Sequence, residues 1–350
     1  MRIPLLAMLL ALGAARSARA QRADSATAEG TTALLGVLAD DSMEGRDTGS
    51  RGGAAAARFI AAELARIGLQ PAGDSGFFQR VPIAWQTRTD RNNRTFRAMR
   101  LLSGFAALDS AAPADRVNAV NVVAILPGSD SSLHDEAVVI DAHYDHIGKA
   151  GNGMCVARGA DSICNGADDD ASGTVAVMET ARILAAGPAP RRSIVFLLVT
   201  GEERGTLGSR WYLQHPAMPL AKTVANLEIE MIGRPDSLAG GPGKAWLTGY
   251  NRSSMGRMLR ENGIPLVADP RPAEDFFDRS DNIIFAYQGI PAHTVSSFNL
   301  HNDYHQVSDE TRATDPVHMA AVINAIARAS RLLADGPAPE WMPGGRPRQR

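Results

Sequence analysis

An α/β fold built on a largely parallel sheet, covered by helices on both faces, follows from two features of this sequence. Four apolar runs have the length and Val/Ile/Leu content of buried strands: NVVAIL (121–126), AVVIDAH (137–143), SIVFLLVTG (193–201) and TVANLEIEMIG (223–233). Helix-patterned segments separate the later runs, at 174–186 and 206–214. Strands that alternate with helices are joined by crossovers, and so pair in parallel with helices on both faces. The chain has 350 residues, 45% of them hydrophobic. A chain of this size buries about 75% of the surface that its unfolded form exposes. One large domain is the simplest arrangement, and two smaller ones are the alternative.

Residues 1–20, MRIPLLAMLLALGAARSARA, start with the basic Arg2, continue through a short apolar run and end on Ala18-Arg19-Ala20. That is the pattern of a secretory signal cut after Ala20. A membrane anchor is the rival reading, but the apolar run falls well short of the ~20 residues that a span needs. The absence of Cys near the cut argues against a lipid anchor. Residues 21–30 are polar and expected to be flexible. At 52–69, Phe59, Ile60, Leu64 and Ile67 recur at helical spacing. The stretch 87–116 is rich in Arg, Asn and Asp and shows no clear period. A last helix is expected over 315–334. The tail 336–350, GPAPEWMPGGRPRQR, has too much Pro, Gly and Arg to pack and is expected to be disordered.

The formal net charge is −2. The first 20 residues hold three arginines and no acid, so the remainder carries −5. An acidic chain without basic runs argues against nucleic acid or an anionic membrane as partner. The two cysteines are Cys155 and Cys164. An even count in an exported chain points to a disulfide. Free thiols or metal ligation are the rivals, although Cys-x8-Cys lacks zinc-ribbon spacing.

In open α/β sheets the site lies beyond the carboxyl ends of the strands. His143-Tyr144-Asp145-His146 end one run, Glu202 and Glu203 follow another, and Glu230 sits at the end of NLEIEMIG. NGADDDASG (165–173) places Asp168, Asp169 and Asp170 at the entrance to a core helix, and HNDYHQVSDE adds His301 and His305. Two like charges ~4 Å apart cost about 4 kcal/mol near a protein surface. Any one of these residues alone is an ordinary solvated charge or core histidine. So many acids on one rim, however, need a counter-charge, and two divalent cations supply it. Carboxylate and imidazole ligands suit Zn²⁺, with Mn²⁺ or Co²⁺ as substitutes. Residues two apart on a strand share a side. Asp145 is thus expected to accept from the far ring nitrogen of His143 and fix its tautomer. Glu202 and Glu203 are neighbours whose side chains diverge, so one can bind metal while the other stands free beside water.

In their order, HYD, GADDDASG, GEERGTLGS, NLEIEMIGR, RSDN with GIPA, and DYHQVSDE resemble the co-catalytic zinc exopeptidases. That family includes bacterial zinc aminopeptidases, glutamate carboxypeptidases and glutaminyl cyclases. The resemblance covers about Leu34 to Leu333. It implies a single α/β/α domain at 31–335, three layers deep with a mixed, mostly parallel central sheet. It implies two zinc ions per chain, one held by His143 and Glu230, the other by Glu203 and His305, with Asp169 shared between them. Glu202 would be the general base, and Asp168 and Asp170 would shape and anchor their loop. A cis peptide between Asp169 and Asp170 is also implied. The activity implied is hydrolysis of peptide substrates at a chain end, as an aminopeptidase. Together with the signal segment this points to a secreted or periplasmic enzyme, expected to be a monomer.

The chain departs from the family's aminopeptidases at Asn282, where they often have His, and at Phe277, where they often have Tyr. The donor to the oxyanion is thereby unassigned. The alternatives are a carboxypeptidase or dipeptidase on the same fold, glutaminyl cyclisation on one zinc, and a non-catalytic binding module. The complete bridging set argues against the last two. Arg158, Arg234, Arg271 and Arg279 are available to hold a substrate carboxylate. GDSG (73–76) lacks the all-β context of a serine protease, and GGPGKA (240–245) lacks the leading Gly and the Ser/Thr of a phosphate loop.

Overall fold

All four apolar runs become strands of one sheet. The computed structural model describes residues 25–348, so the signal segment 1–20 lies outside the described residues. The strands are β1 (Gln70–Pro71), β2 (Phe78–Thr89), β3 (Thr95–Leu101), β4 (Arg116–Leu126), β5 (Ala137–His143), β6 (Ser193–Val199), β7 (Thr223–Ile229), β8 (Ala245–Leu247), β9 (Leu266–Ala268) and β10 (Ala292–Ser296). Their spatial order is β3-β2-β4-β6-β5-β7-β10-β8-β9, with β1 paired to β4. The central strands β6, β5, β7 and β10 run parallel. β4 and β8 flank them antiparallel. Every residue of β5 and β6 is buried, which is why these runs are mostly apolar rather than alternating.

The described α-helices are α1 (Ala28–Leu38), α2 (Arg51–Ile67), α3 (Phe105–Ser110), α4 (Gly173–Ala186), α5 (Leu207–Gln214), α6 (Met255–Glu261), α7 (Asn282–Tyr287) and α8 (Pro316–Asp335). One face of the sheet packs Ile140, Phe196 and Leu227 under Leu38 of α1, Leu64 of α2, Val177 of α4 and Ile326 of α8. The other packs Val139, Val195 and Leu197 under Tyr212 of α5 and Phe285 of α7. Three layers result. Local signals set the helix ends. The Ser50 hydroxyl accepts from Gly53 N, and Gly68 closes α2 at φ 91°. The Asp315 carboxylate accepts from Val317 N and His318 N in front of Pro316.

Three sequence expectations change. Residues 25–30 are ordered: Ala26 and Asn324 exchange two hydrogen bonds, at 2.8 and 3.1 Å, and Thr27 caps α1. The unreadable stretch 87–116 completes the β2–β3 hairpin, forms α3 and starts β4. The tail expected to be disordered is packed as far as it is described. Trp341 Nε1 donates to Gly289 O at 2.9 Å, and its ring lies 5.8 Å from that of His293. Tertiary partners, which no local pattern encodes, order both termini. Cys155 and Cys164 are joined in a disulfide, so they are neither free thiols nor ligands.

His293, under that tail, is fully buried. Its Nδ1 is 2.7 Å from Thr248 O, which can only accept, so Nδ1 carries the proton and Nε2 accepts from Ser253 Oγ at 2.6 Å. Burial lowers its pKa to about 4 from 6.5. The unfolded chain takes up a proton as the pH falls through 6.5, and the folded chain does so only near 4. Stability from this group is therefore present above pH 6.5 and lost as the pH falls toward 4, by about 3 kcal/mol. Denaturation of His293→Gln across that window is expected to show a flatter pH dependence than wild type by that amount. An unchanged slope would mean that His293 is charged in the folded chain.

Candidate active site

The carboxyl ends of β5, β6 and β7 and two loops converge on a buried group of acids and imidazoles. β5 ends at His143, whose carbonyl accepts from Thr174 Oγ1 at 2.9 Å. His143 Nδ1 donates to the backbone carbonyl of Asp145 at 3.0 Å, leaving Nε2 aimed inward without a hydrogen bond. The tautomer is thus fixed by the Asp145 main chain, not by its carboxylate as expected from strand alternation. The strand has ended by then, and a period of two no longer applies. The Asp145 carboxylate instead accepts from Thr48 Oγ1 at 2.9 Å and Glu202 N at 3.2 Å, tying the β5 turn to the β6 turn.

The acidic triplet divides its work. Asp168 Oδ1 accepts from Gly233 N at 2.6 Å, and its Oδ2 lies 2.9 Å from His301 Nε2. Asp170 Oδ1 accepts from Gly173 N and Met231 N, both at 3.0 Å. The peptide between Asp169 and Asp170 is cis. Gly166 lies at φ 56°, where a Cβ would come within 2.1 Å of Asp169 O. A Cβ on Gly173 would meet Ile229 O at 2.3 Å. These close approaches require the two flanking glycines.

Asp169 points between two groups. Its Oδ1 is 3.4 Å from His143 Nε2, on the side of Glu230. Its Oδ2 is 3.1 Å from His305 Nε2 and 3.7 Å from His146 Nδ1. Glu203 Oε1 lies 3.2 Å from His305 Nε2 and 2.8 Å from His146 Nδ1. All five residues expected to hold metal, His143, Asp169, Glu203, Glu230 and His305, are thus brought together. His143 Nε2, both nitrogens of His146, Asp169 Oδ2, Glu203 Oε1 and His305 Nε2 are buried without a hydrogen bond. Such a density of orphaned buried donors and acceptors is costly unless a cation completes them. The donor set fits zinc.

Charge coupling follows from the packing. Burial alone would lower the His143 pKa, but Asp170, Glu202 and Asp169 hold it well above the usual imidazole range. Burial raises the Glu230 pKa to about 7, with the Asp169 charge adding to it. Burial raises Glu202 well above the carboxylate range, reinforced by Asp281, Glu203 and Glu230. Burial works in the same direction on Glu203, but the imidazoles of His146 and His305 outweigh it and hold that group low.

Sequence reasoning missed three contributors. Arg46 is fully buried and bonds four backbone carbonyls beside the site. Asp309 accepts from Asp168 N and Asp169 N, at 3.1 and 3.0 Å. His146 closes the HYDH quartet and enters the second group. Of these, His146 and Asp309 each lay in a motif already singled out, HYDH and DYHQVSDE, whereas Arg46 carried no signal. Asn282 Nδ2 donates to Phe277 O at 3.0 Å and is engaged in local structure. Among the four arginines considered for a carboxylate, Arg234 pairs with Asp303 and Arg271 with Asp236. Arg279 lines a cavity beside Glu230, while Arg158 stands exposed on the disulfide loop.

The chain is similar to a vacuolar membrane protease of Aspergillus niger, 27% identical over 205 residues, a match covering 57% of this chain and 18% of that protein. The matched segment therefore spans about a fifth of the length of that relative. In fold it is similar to BSAP, a zinc aminopeptidase from Bacillus subtilis, with a TM-score of 0.64, 13% identity and coverage of 90% of this chain and 96% of that one. The glutaminyl cyclase of Porphyromonas gingivalis shares the fold at a TM-score of 0.54 and 15% identity, covering 88% and 98%. Peptidase family M28 matches residues 121–330. That span is more than half of the chain and contains His143, Asp169, Glu203, Glu230 and His305, so the chain belongs to peptidase family M28.

Proposed function

We propose that the chain is an exported aminopeptidase that holds two zinc ions and uses Glu202 as its general base. The observation that carries this reading is Asp169, whose two oxygens face separate groups: Oδ1 toward His143 at 3.4 Å and Oδ2 toward His305 at 3.1 Å. His143, Glu230 and Asp169 would hold one ion, and Glu203, His305 and Asp169 the other. Zinc bound there supplies Lewis acidity toward the scissile carbonyl and lowers the pKa of water to about 7. Glu202 takes a proton from the attacking water and returns it to the leaving amine. Asp145 holds the Glu202 backbone in place through its N–H.

Trp246, Phe276, Phe298 and Tyr304 wall a cavity of about 40 Å³ next to Glu230. A cavity of that size, which Thr248, Thr294 and Arg279 also line, favours a small side chain at the cleaved end. The disulfide supports an exported chain, because such bonds persist in oxidising compartments. No described helix is long and apolar enough to cross a membrane. Glutaminyl cyclisation on a single ion is disfavoured by the complete set around Asp169.

Elemental analysis is expected to find about two zinc ions per active chain, and a chelator to abolish peptide hydrolysis. One ion or fewer in fully active protein would refute the two-ion reading. A leucyl anilide with a free amine is expected to be cleaved far faster than an N-blocked dipeptide with a free carboxylate. The reverse preference would make the enzyme a carboxypeptidase, with Arg279 the first residue to test.

A further inference from the structure

We infer that His146 is a fourth protein ligand of the ion held by Asp169, Glu203 and His305, so that the two metal positions differ in kind. This rests on the two-ion reading above. His146 follows β5 in the HYDH turn and is fully buried, with neither ring nitrogen in a hydrogen bond. Its Nδ1 is 2.8 Å from Glu203 Oε1, near enough to bond but out of line for an N–H···O contact. A buried imidazole with two unpaired nitrogens is unfavourable unless something else occupies them.

The spacing identifies what that is. His146 Nδ1, Asp169 Oδ2, Glu203 Oε1 and His305 Nε2 all lie within 4.8 Å of one another. Four of the separations are 2.8, 3.1, 3.2 and 3.7 Å. Zinc binds N and O ligands at about 2.0–2.2 Å in a tetrahedron, whose edges are then ~3.3–3.6 Å. The observed separations scatter around that edge. Two imidazoles and two carboxylates also match the ligand types of a four-coordinate site. The ring packs directly on the Gly166 backbone, where a Cβ would come within 2.4 Å of His146 Cδ2. The other group gathers His143, Asp169 and Glu230 only. Three protein atoms leave a tetrahedral position open, whereas four fill it. Protein atoms would thus take all four tetrahedral positions of the ion beside His146, and the ion beside His143 would keep one position for water or substrate.

The test is zinc affinity, read by chelator competition on the purified holoenzyme and independently by the visible absorption of the cobalt-substituted protein. His146→Gln keeps a polar group able to bond Glu203 but is a poor zinc ligand. It is expected to retain one ion and to bind the second more than 100-fold more weakly, beyond the 10–100-fold cost of losing an outer hydrogen-bond partner. The retained ion reports an intact fold. His146→Asp supplies a replacement oxygen and is expected to recover the second ion to within about tenfold of wild type. Two ions at wild-type affinity in His146→Gln would overturn the assignment. So would equal loss in both variants, which would mark His146 as a packing residue. Fewer than two ions in wild type would instead bring down the two-ion reading itself.

Discussion

Replacing Glu202 with Gln is expected to lower kcat by at least ~10²–10⁴-fold while leaving the zinc content at its wild-type level. Gln preserves the shape of Glu202 and the backbone N–H that Asp145 accepts, but it cannot take a proton. Burial, reinforced by Asp281, Glu203 and Glu230, raises the Glu202 pKa. Glu203, one residue on, behaves differently. Its Oε1 lies within 3.2 Å of two buried imidazole nitrogens that make no hydrogen bond. Glu203→Gln is therefore expected to weaken one ion, with partial recovery in excess zinc. If Glu202→Gln loses metal while Glu203→Gln keeps both ions and is inactive, the roles are reversed. If both variants stay active, the reaction is carried elsewhere.

Arg46→Met is expected to destabilise the protein by about 4 kcal/mol or more. The Arg46 guanidinium donates to Tyr144 O and Leu38 O at 2.8 Å, Asn165 O at 2.6 Å and Gly166 O at 2.9 Å. Each buried acceptor left unpaired costs about 1–3 kcal/mol. Burial lowers the Arg46 pKa, while Asp170, Asp169, Asp309 and Asp145 favour its charge. Tyr144 adjoins His143 in the β5 turn, and Asn165 and Gly166 begin the loop that carries Asp169. The substitution should thus also reduce zinc affinity. A lysine reaches fewer of these carbonyls from one ammonium and is expected to recover only part of the loss. Equilibrium denaturation of zinc-free protein separates the two effects. A loss under about 1 kcal/mol there would show that these bonds do not hold the loops together.

How much of the site was legible depends on how each residue is placed. His143, Glu203 and Glu230 sit within four residues of the ends of apolar runs that pack as central strands. In a parallel sheet all such ends meet on one rim, so local pattern sufficed to gather them. Asp169 was conspicuous because three adjacent carboxylates at a core helix demand a counter-charge. His305 lies in a loop with no period, and only the resemblance singled it out from His301. Asp145 was placed correctly, but its bond was read on the wrong atom, because the alternation used for it ends with β5.

By itself the sequence determined the strand runs, the principal helices, the rim that carries the chemistry and the pair of acids that follows β6. These depend on periodicity and on chain order, both local properties. Only the tertiary structure decided what lies across the chain. Arg46 meets Asn165 and Gly166 from 119 and 120 residues away, and Asp309 meets the amide of Asp169 from 140. The tail is held through Trp341 on Gly289, and residues 25–30 through Ala26 on Asn324. Such contacts satisfy buried polar groups rather than a hydrophobic period, and their partners become neighbours only after the sheet has assembled. His146 shows the same limit at the site: the sequence displayed the imidazole, and the fold decided that both its nitrogens would be buried beside Glu203.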